Sequence, residues 1–230
     1  MVADSDDSKY LPSMIVFDLD YCLWTPEMHE LYGMPSIPVQ GNLVPDAANN
    51  DNDVSASKKS LPNRTAKMKY KGTHHGDIGV TGMKVPGTSQ TVYLFDGARR
   101  ALREIALDPK FKDVLIAVAS SSLEPTYSQA CLSHIEILPD LTMRDMIAYD
   151  EIGRTGHLTS RKTTHFMALH NASQVPYDEM LFFDDCNWGD HCEDVSNSFG
   201  VVSQRTPNGL QLSEFHGGLD KYQKQMKDKE

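Results

Sequence analysis

The chain lacks any apolar run approaching the ~20 residues that a membrane-crossing helix needs, so a span is not expected. It lacks basic excess as well. Its 32 acidic residues outnumber 22 lysines and arginines, for a formal net charge of -10. That sign disfavours nucleic acid and anionic membranes as partners. It would also repel a phosphorylated substrate, so any phosphate site must carry its own cations. Cysteine is scarce: Cys22, Cys131, Cys186 and Cys192 stand apart with no CxxC pair, as suits reduced thiols in a cytosolic protein. Cys186, His191 and Cys192 fit no standard zinc spacing. The opening residues MVADSDDSKY offer neither a basic start nor an apolar core for a secretory signal. A cytoplasmic monomer is expected.

Periodicity is missing from about Pro35 to Ser89, where Pro, Gly, Asn, Asp, Ser and Lys dominate. The composition reads as loop or disorder, an insertion too poor in apolar residues for a core of its own. His74, His75 and Asp77 lie inside it and read as solvated loop residues. The whole chain is otherwise long enough for one domain with a substantial core.

What is present organises around MIVFDLDYCLW, from Met14 to Trp24. Met14 to Phe17 is a short apolar run of the kind that forms a parallel strand buried on both faces. Asp18 and Asp20 follow where that strand stops, and open α/β sheets bind ligands beyond the carboxyl ends of their strands. Two carboxylates so close repel, and Mg²⁺, which favours hard oxygen ligands, is the usual remedy. One acid can then hold the metal and attack while the other transfers a proton. A strand followed by a solvated acidic turn is the plain alternative for this stretch alone.

Further runs repeat the pattern. Thr91 to Phe95 reads as a strand entry and Asp96 as the cap of a helix carrying Ala98, Ala101, Leu102, Ile105 and Ala106 on one face. Val114 to Ala119 is a second buried strand, ending in Ser120, Ser121 and Ser122; Pro125 opens the next helix. Met146 to Tyr149 is a weaker strand. Ser160 is the expected cap of a helix with Lys162 in its first turn. Met180 to Phe183 is the third strong strand, ending in Asp184 and Asp185. A helix over residues 189–198 stops at Gly200, Val201 and Val202 form a last strand, and residues 211–229 a polar helix or tail. Alternating α and β units imply a doubly wound, mostly parallel, Rossmann-like α/β sheet. Its strand ends would bring Asp18, Asp20, Ser120, Lys162, Asp184 and Asp185 together.

In that order, DLDYC, VASSS, SRKTTHF and LFFDD resemble the four motifs of the haloacid dehalogenase superfamily. The longer strings FDLDYCLW, KTTHF and MLFFDD are similar to its magnesium-dependent phosphatase-1 family. The resemblance spans Met14–Trp24 and roughly Phe95–Val202, and leaves out the insertion. It implies a fold without a large cap, or with a small lid, and an Mg²⁺-dependent phosphatase working through an aspartyl-phosphate. Asp18 would be the nucleophile and Asp20 the acid and then the base. Ser120, with Ser121 as alternative, would bind the phosphoryl group, and Lys162 would neutralise charge. Mg²⁺ would lie on Asp18, the Asp20 carbonyl and the late acids. Of these, Asp185 is preferred as direct ligand and Asp184 as its orienter, because Asp185 sits further past the strand end. The implied substrate is a phosphorylated small molecule or phosphoprotein, such as a sugar phosphate or phosphotyrosine. A non-catalytic binding module and a phosphotransferase are the rival readings on the same fold. Cys22 stands where the family has threonine, and a thiol bonds more weakly. Cys22 and Cys186 each follow an acidic loop, which suggests weak peroxide sensitivity. Trp24, Phe166 and Phe182 read as core.

Overall fold

A computed structural model describes residues 10–44 and 78–230. His74, His75 and Asp77 lie outside the described residues. The strands are β1 (Met14–Phe17), β2 (Trp24–Thr25), β3 (Ile37–Asn42), β4 (Ile78–Lys84), β5 (Thr91–Leu94) and β6 (Leu115–Ser120). They continue with β7 (Glu136–Leu138), β8 (Leu141–Thr142), β9 (Ile147–Ile152), β10 (Met180–Asp184) and β11 (Val202–Arg205). The helices are α1 (Asp96–Leu107), α2 (Pro125–His134), α3 (Met143–Met146), α4 (Lys162–Ser173), α5 (His191–Phe199) and α6 (Leu212–Lys227).

Five strands form one sheet in the order β11-β10-β1-β6-β9, with every pairing parallel. β1 lies at its centre, each residue buried between two neighbours. Because side chains alternate across a strand, Met14 and Val16 join Phe166, Leu169, Phe182 and Val195 on one face. Ile15 and Phe17 join Ala98, Leu102, Leu132, Phe183 and Phe215 on the other. Helices α4 and α5 thus cover one side and α1 and α6 the other. This is the doubly wound α/β fold, and it turns the carboxyl ends of β1, β6 and β10 to one edge. Among the described residues no helix is long and apolar enough to cross a membrane.

The stretch expected to be loop from Pro35 to Ser89 is not all loop. Its ends pair as β3 and β4, with Ile37 opposite Lys84 and Asn42 opposite Ile78. With β5 and β2 they make a four-stranded antiparallel sheet, order β2-β5-β4-β3. Such a sheet needs apolar residues on one face only; Met83, Val92 and Leu94 supply it, all buried, while β3 buries none of its residues. Averaging composition over the whole stretch diluted two short strands.

Two caps also differ. α1 begins at Asp96 itself, behind Phe95, without a side-chain cap; the carboxylate instead sits in the first turn, where the helix dipole favours it. α4 is preceded by Arg161 rather than capped by Ser160. The turn before it is held by Thr159, whose hydroxyl accepts the Arg161 N–H at 3.1 Å. Thr164 in turn accepts the Thr159 N–H at 3.0 Å. Elsewhere Pro125 opens α2 and Gly200, at φ +78°, stops α5, as read from sequence.

Candidate active site

The chain leaves β1 in a tight turn. The Asp18 N–H still bonds the Phe183 carbonyl at 2.9 Å, so the first acid is fixed to β10 as the strand ends. The Leu19 carbonyl then accepts both the Leu23 N–H at 2.9 Å and the Trp24 N–H at 3.2 Å. Tyr21 takes a positive φ of 58° to close the turn. Asp18 and Asp20 are thereby presented at the sheet edge.

Lys162, in the first turn of α4, is 2 % exposed. Its ammonium pairs with Asp18 Oδ1, donates to the Ala119 carbonyl at 2.7 Å and lies 3.3 Å from Asp184 Oδ2. The ion pairs, not the helix dipole, account for a cation at a helix start. Burial works against the Lys162 charge, but Asp18 and Asp184 more than offset it and raise its affinity for the proton. His165, wholly buried one turn along, steadies the neighbourhood: its ring nitrogens contact the Arg161 and Gly153 carbonyls at 3.2 and 3.1 Å. Burial and the Lys162 charge lower its pKa to about 4, which keeps it neutral.

Asp18, Asp184 and Asp185 each offer one carboxylate oxygen within 4.8 Å of the others, and all three are buried. Burial, then the charges of Asp184 and Asp185, hold the Asp18 carboxyl well above its ordinary range against the pull of Lys162. Burial and Asp184 likewise raise Asp185 to about 6. One oxygen of each late acid is tied down: Asp184 Oδ1 accepts the Cys186 N–H at 2.8 Å, and Asp185 Oδ2 the Asn187 N–H at 3.1 Å. Asp184 Oδ2, buried, has no hydrogen bond, only its ion-pair contact with Lys162. Three buried carboxylates facing one ammonium, with an oxygen left unbonded, suit a hard divalent cation. Cys186, His191 and Cys192 form no such cluster among the described residues.

This arrangement carries a prediction for the metal-free protein. The folded-state pKa of Asp185, about 6, exceeds its ordinary value of 3.8. Stability from the protonated form is therefore complete below the lower value and lost as pH rises through the higher. In excess chelator, melting between about pH 5 and about pH 7.5 should show a loss of roughly 1–1.5 kcal/mol. Asp185→Asn should flatten that slope; an unchanged slope would contradict the cluster.

The acids open on a cleft of about 200 Å³. Ser120, 1 % exposed at the end of β6, lines it together with Ser121 and Ser122. Ser122 is engaged in the turn to α2, accepting the Glu124 N–H at 3.3 Å; Ser120 and Ser121 line the cleft beside it. Asp20 also lines the cleft, but its carboxylate is not part of the acid trio. Its Oδ1 accepts the indole N–H of Trp24 at 2.7 Å. Trp24 is fully buried, as expected of core, and bonds a site residue as well.

Sequence reasoning missed the rim. Arg154, two residues past β9, lines the cleft and donates from Nε to the Ser121 carbonyl at 2.7 Å. It is a second local cation for an acidic chain. Glu27, His29 and Trp188 line the cleft as well. Trp188, 74 % exposed, donates to both Glu27 oxygens at 3.1 and 3.2 Å, tying the stretch after the first motif to the loop after Asp185. Arg154 and Trp188 both follow parallel-strand ends, the one signal that could have nominated them.

Cys22 is wholly buried. Its thiol lies 3.6 Å from the Phe183 carbonyl and accepts from the Thr206 hydroxyl at 3.4 Å, two long contacts in place of a hydroxyl's stronger ones. Burial, then the Asp18 charge, pushes the thiol well above its ordinary pKa. Such a thiol is unreactive, so Cys22 does not belong with Cys186, which is only half-buried, as a peroxide target.

Residues 10–69 and 80–225 match the family model described as Acid Phosphatase. Among solved structures, the N-terminal part of a Bacteroides fragilis protein, described as containing a phosphatase domain complexed with Mg, superposes with a TM-score of 0.50 at 12 % identity. The overlap covers 93 % of this chain and 40 % of that one, and at this identity it speaks to the fold. No match is found among curated proteins.

Proposed function

The chain belongs to the acid phosphatase family, a phosphatase of haloacid dehalogenase type, and from that premise we propose an Mg²⁺-dependent phosphomonoesterase that forms an aspartyl-phosphate on Asp18. The observation that carries the reading is the meeting of Asp18, Lys162, Asp184 and Asp185 in one buried cluster open to a cleft.

The chemistry follows from the residues. A carboxylate oxygen of Asp18 attacks phosphorus, and the bond from phosphorus to the ester oxygen breaks. Asp20 gives its proton to that oxygen as it departs. Water then attacks the phosphorus of the aspartyl-phosphate, Asp20 takes the water's proton, and inorganic phosphate leaves Asp18 free. Splitting one displacement into two lowers each barrier, and general acid–base help of this kind contributes about 10²–10⁴-fold. Lys162 neutralises charge between the phosphoryl group and Asp18. The Ser120 hydroxyl, with Ser121 beside it, binds phosphoryl oxygens, and Arg154 adds positive charge at the rim. Asp18, Asp184, Asp185 and the Asp20 backbone carbonyl would hold Mg²⁺, which when bound supplies Lewis-acid stabilisation of phosphoryl charge.

The open mouth, edged by Trp188, Leu123 and Arg154, suits a phosphate carried on a bulky group, hence phosphotyrosine or a sugar phosphate. Hydrolysis of p-nitrophenyl phosphate should be lost in excess chelator and return with Mg²⁺. Folded protein that binds Mg²⁺ by calorimetry yet hydrolyses no ester would overturn the reading.

A further inference from the structure

Trp24 satisfies the requirements of core: no exposure, a place at the head of β2, and pairing of that strand with β5 opposite Leu94. A buried indole N–H also needs a partner, and a backbone carbonyl would have served. Its partner is instead Oδ1 of Asp20, at 2.7 Å, on the wall of the cleft. The backbone at Trp24 is pinned on both sides, its N–H to the Leu19 carbonyl at 3.2 Å and its carbonyl to the Tyr21 N–H at 2.9 Å. The donor is therefore held by the same turn that presents Asp20.

The chemistry of indole sharpens the point. Its N–H donates and cannot accept. Oδ1 accepts whether Asp20 is charged or neutral, and a carbonyl oxygen accepts better than a protonated one, so the donor favours the proton of the neutral acid on Oδ2. We propose that Trp24 is a positioning residue that fixes the rotamer of Asp20 and biases its transferable proton toward the oxygen not bonded by the indole. The proposal rests on the reading of Asp20 as general acid. Without Trp24 the carboxyl can rotate, and its proton can sit on either oxygen.

A merely structural role and a positioning role differ in leaving-group dependence. An alkoxide must be protonated as it departs, whereas p-nitrophenolate is stable without a proton. The donor is removed cleanly by placing benzothienylalanine, the isostere with sulfur for N–H, at position 24 by nonsense suppression. Trp24→Phe is the simpler companion, and the isostere keeps the test available should Trp24→Phe fail to fold. The measurement is kcat/KM for glycerol 2-phosphate and for p-nitrophenyl phosphate, since kcat/KM reports the step in which the ester oxygen leaves. The ratio of the two values should shift against the alkyl ester by about tenfold, the worth of one hydrogen bond to a charged group. Equal losses on both esters, or no loss on either, would overturn the proposal. Asp20→Asn runs beside it. A selective alkyl-ester loss there without one in the isostere defeats the role of Trp24 alone, and Asp20→Asn without selectivity defeats the role of Asp20 and with it that of Trp24.

Discussion

Asp18→Asn is expected to abolish turnover, by about a thousandfold or more, in a protein that still folds and melts higher than the wild type in excess chelator. The two halves of that result have one cause. A carboxylate at position 18 is buried with Asp184 and Asp185 around it, and its ionised form is disfavoured. An amide of the same shape ends that repulsion and can still accept from Lys162. The ammonium keeps Asp184 at 3.3 Å and the Ala119 carbonyl at 2.7 Å, so removing the Asp18 charge does not strand it. The gain should be of order 1 kcal/mol, the usual scale when a strained functional group is neutralised. An amide cannot serve as the oxygen nucleophile, so the chemistry goes. Thermal melting and p-nitrophenyl phosphate turnover on one preparation read both halves. A less stable Asn variant would mean that the pair with Lys162 outweighs the repulsion.

Lys162→Met is expected to do the opposite to stability while also removing activity. The lysine is 2 % exposed, and its contacts are two carboxylates and a carbonyl. Methionine fills much the same volume and leaves Asp18, Asp184 and Asp185 buried with no cation. Breaking one side of a buried ion pair costs about 3–5 kcal/mol. Mg²⁺ should recover part of that loss, because a cation held by those acids replaces the missing charge. The rise in melting temperature on adding Mg²⁺ should therefore be larger in Lys162→Met than in the wild type. The opposite order would show that the ammonium, rather than the carboxylates, organises the cation site. Activity should remain low even with Mg²⁺, since the charge facing the phosphoryl group is still absent.

These residues could be read from sequence because strands buried on both faces announce themselves as unbroken apolar runs. Met14 to Phe17, the stretch leading to Ser120, and Met180 to Phe183 each end in polar groups, and a parallel sheet turns those ends to one edge. That is why residues 144 positions apart, Asp18 and Lys162, could be expected to meet. Other features leave no such trace. β3 buries none of its residues and has no apolar run. The hold on the α4 start passes from Thr159 and Thr164 rather than Ser160, a choice made by turn geometry. Trp24 shows the limit most plainly: bulk and apolarity mark it as core, and it is core, but the direction of its single N–H decides what it does for Asp20. The rim residues Arg154 and Trp188 sit in irregular loops, where position follows from the backbone path and not from periodicity.

The nucleophile is tested most directly by trapping. Asp20→Asn, in which water is activated poorly, is mixed with p-nitrophenyl phosphate and Mg²⁺, quenched, and treated with borohydride, which reduces an acyl phosphate to an alcohol and so converts the aspartate that carried it to homoserine. Peptide mapping by mass spectrometry then locates the change. Homoserine at position 18, absent without substrate and absent in the Asp18→Asn background, is the predicted result. Hydrolysis that proceeds with position 18 unmodified, or with the label on another residue, would contradict the account.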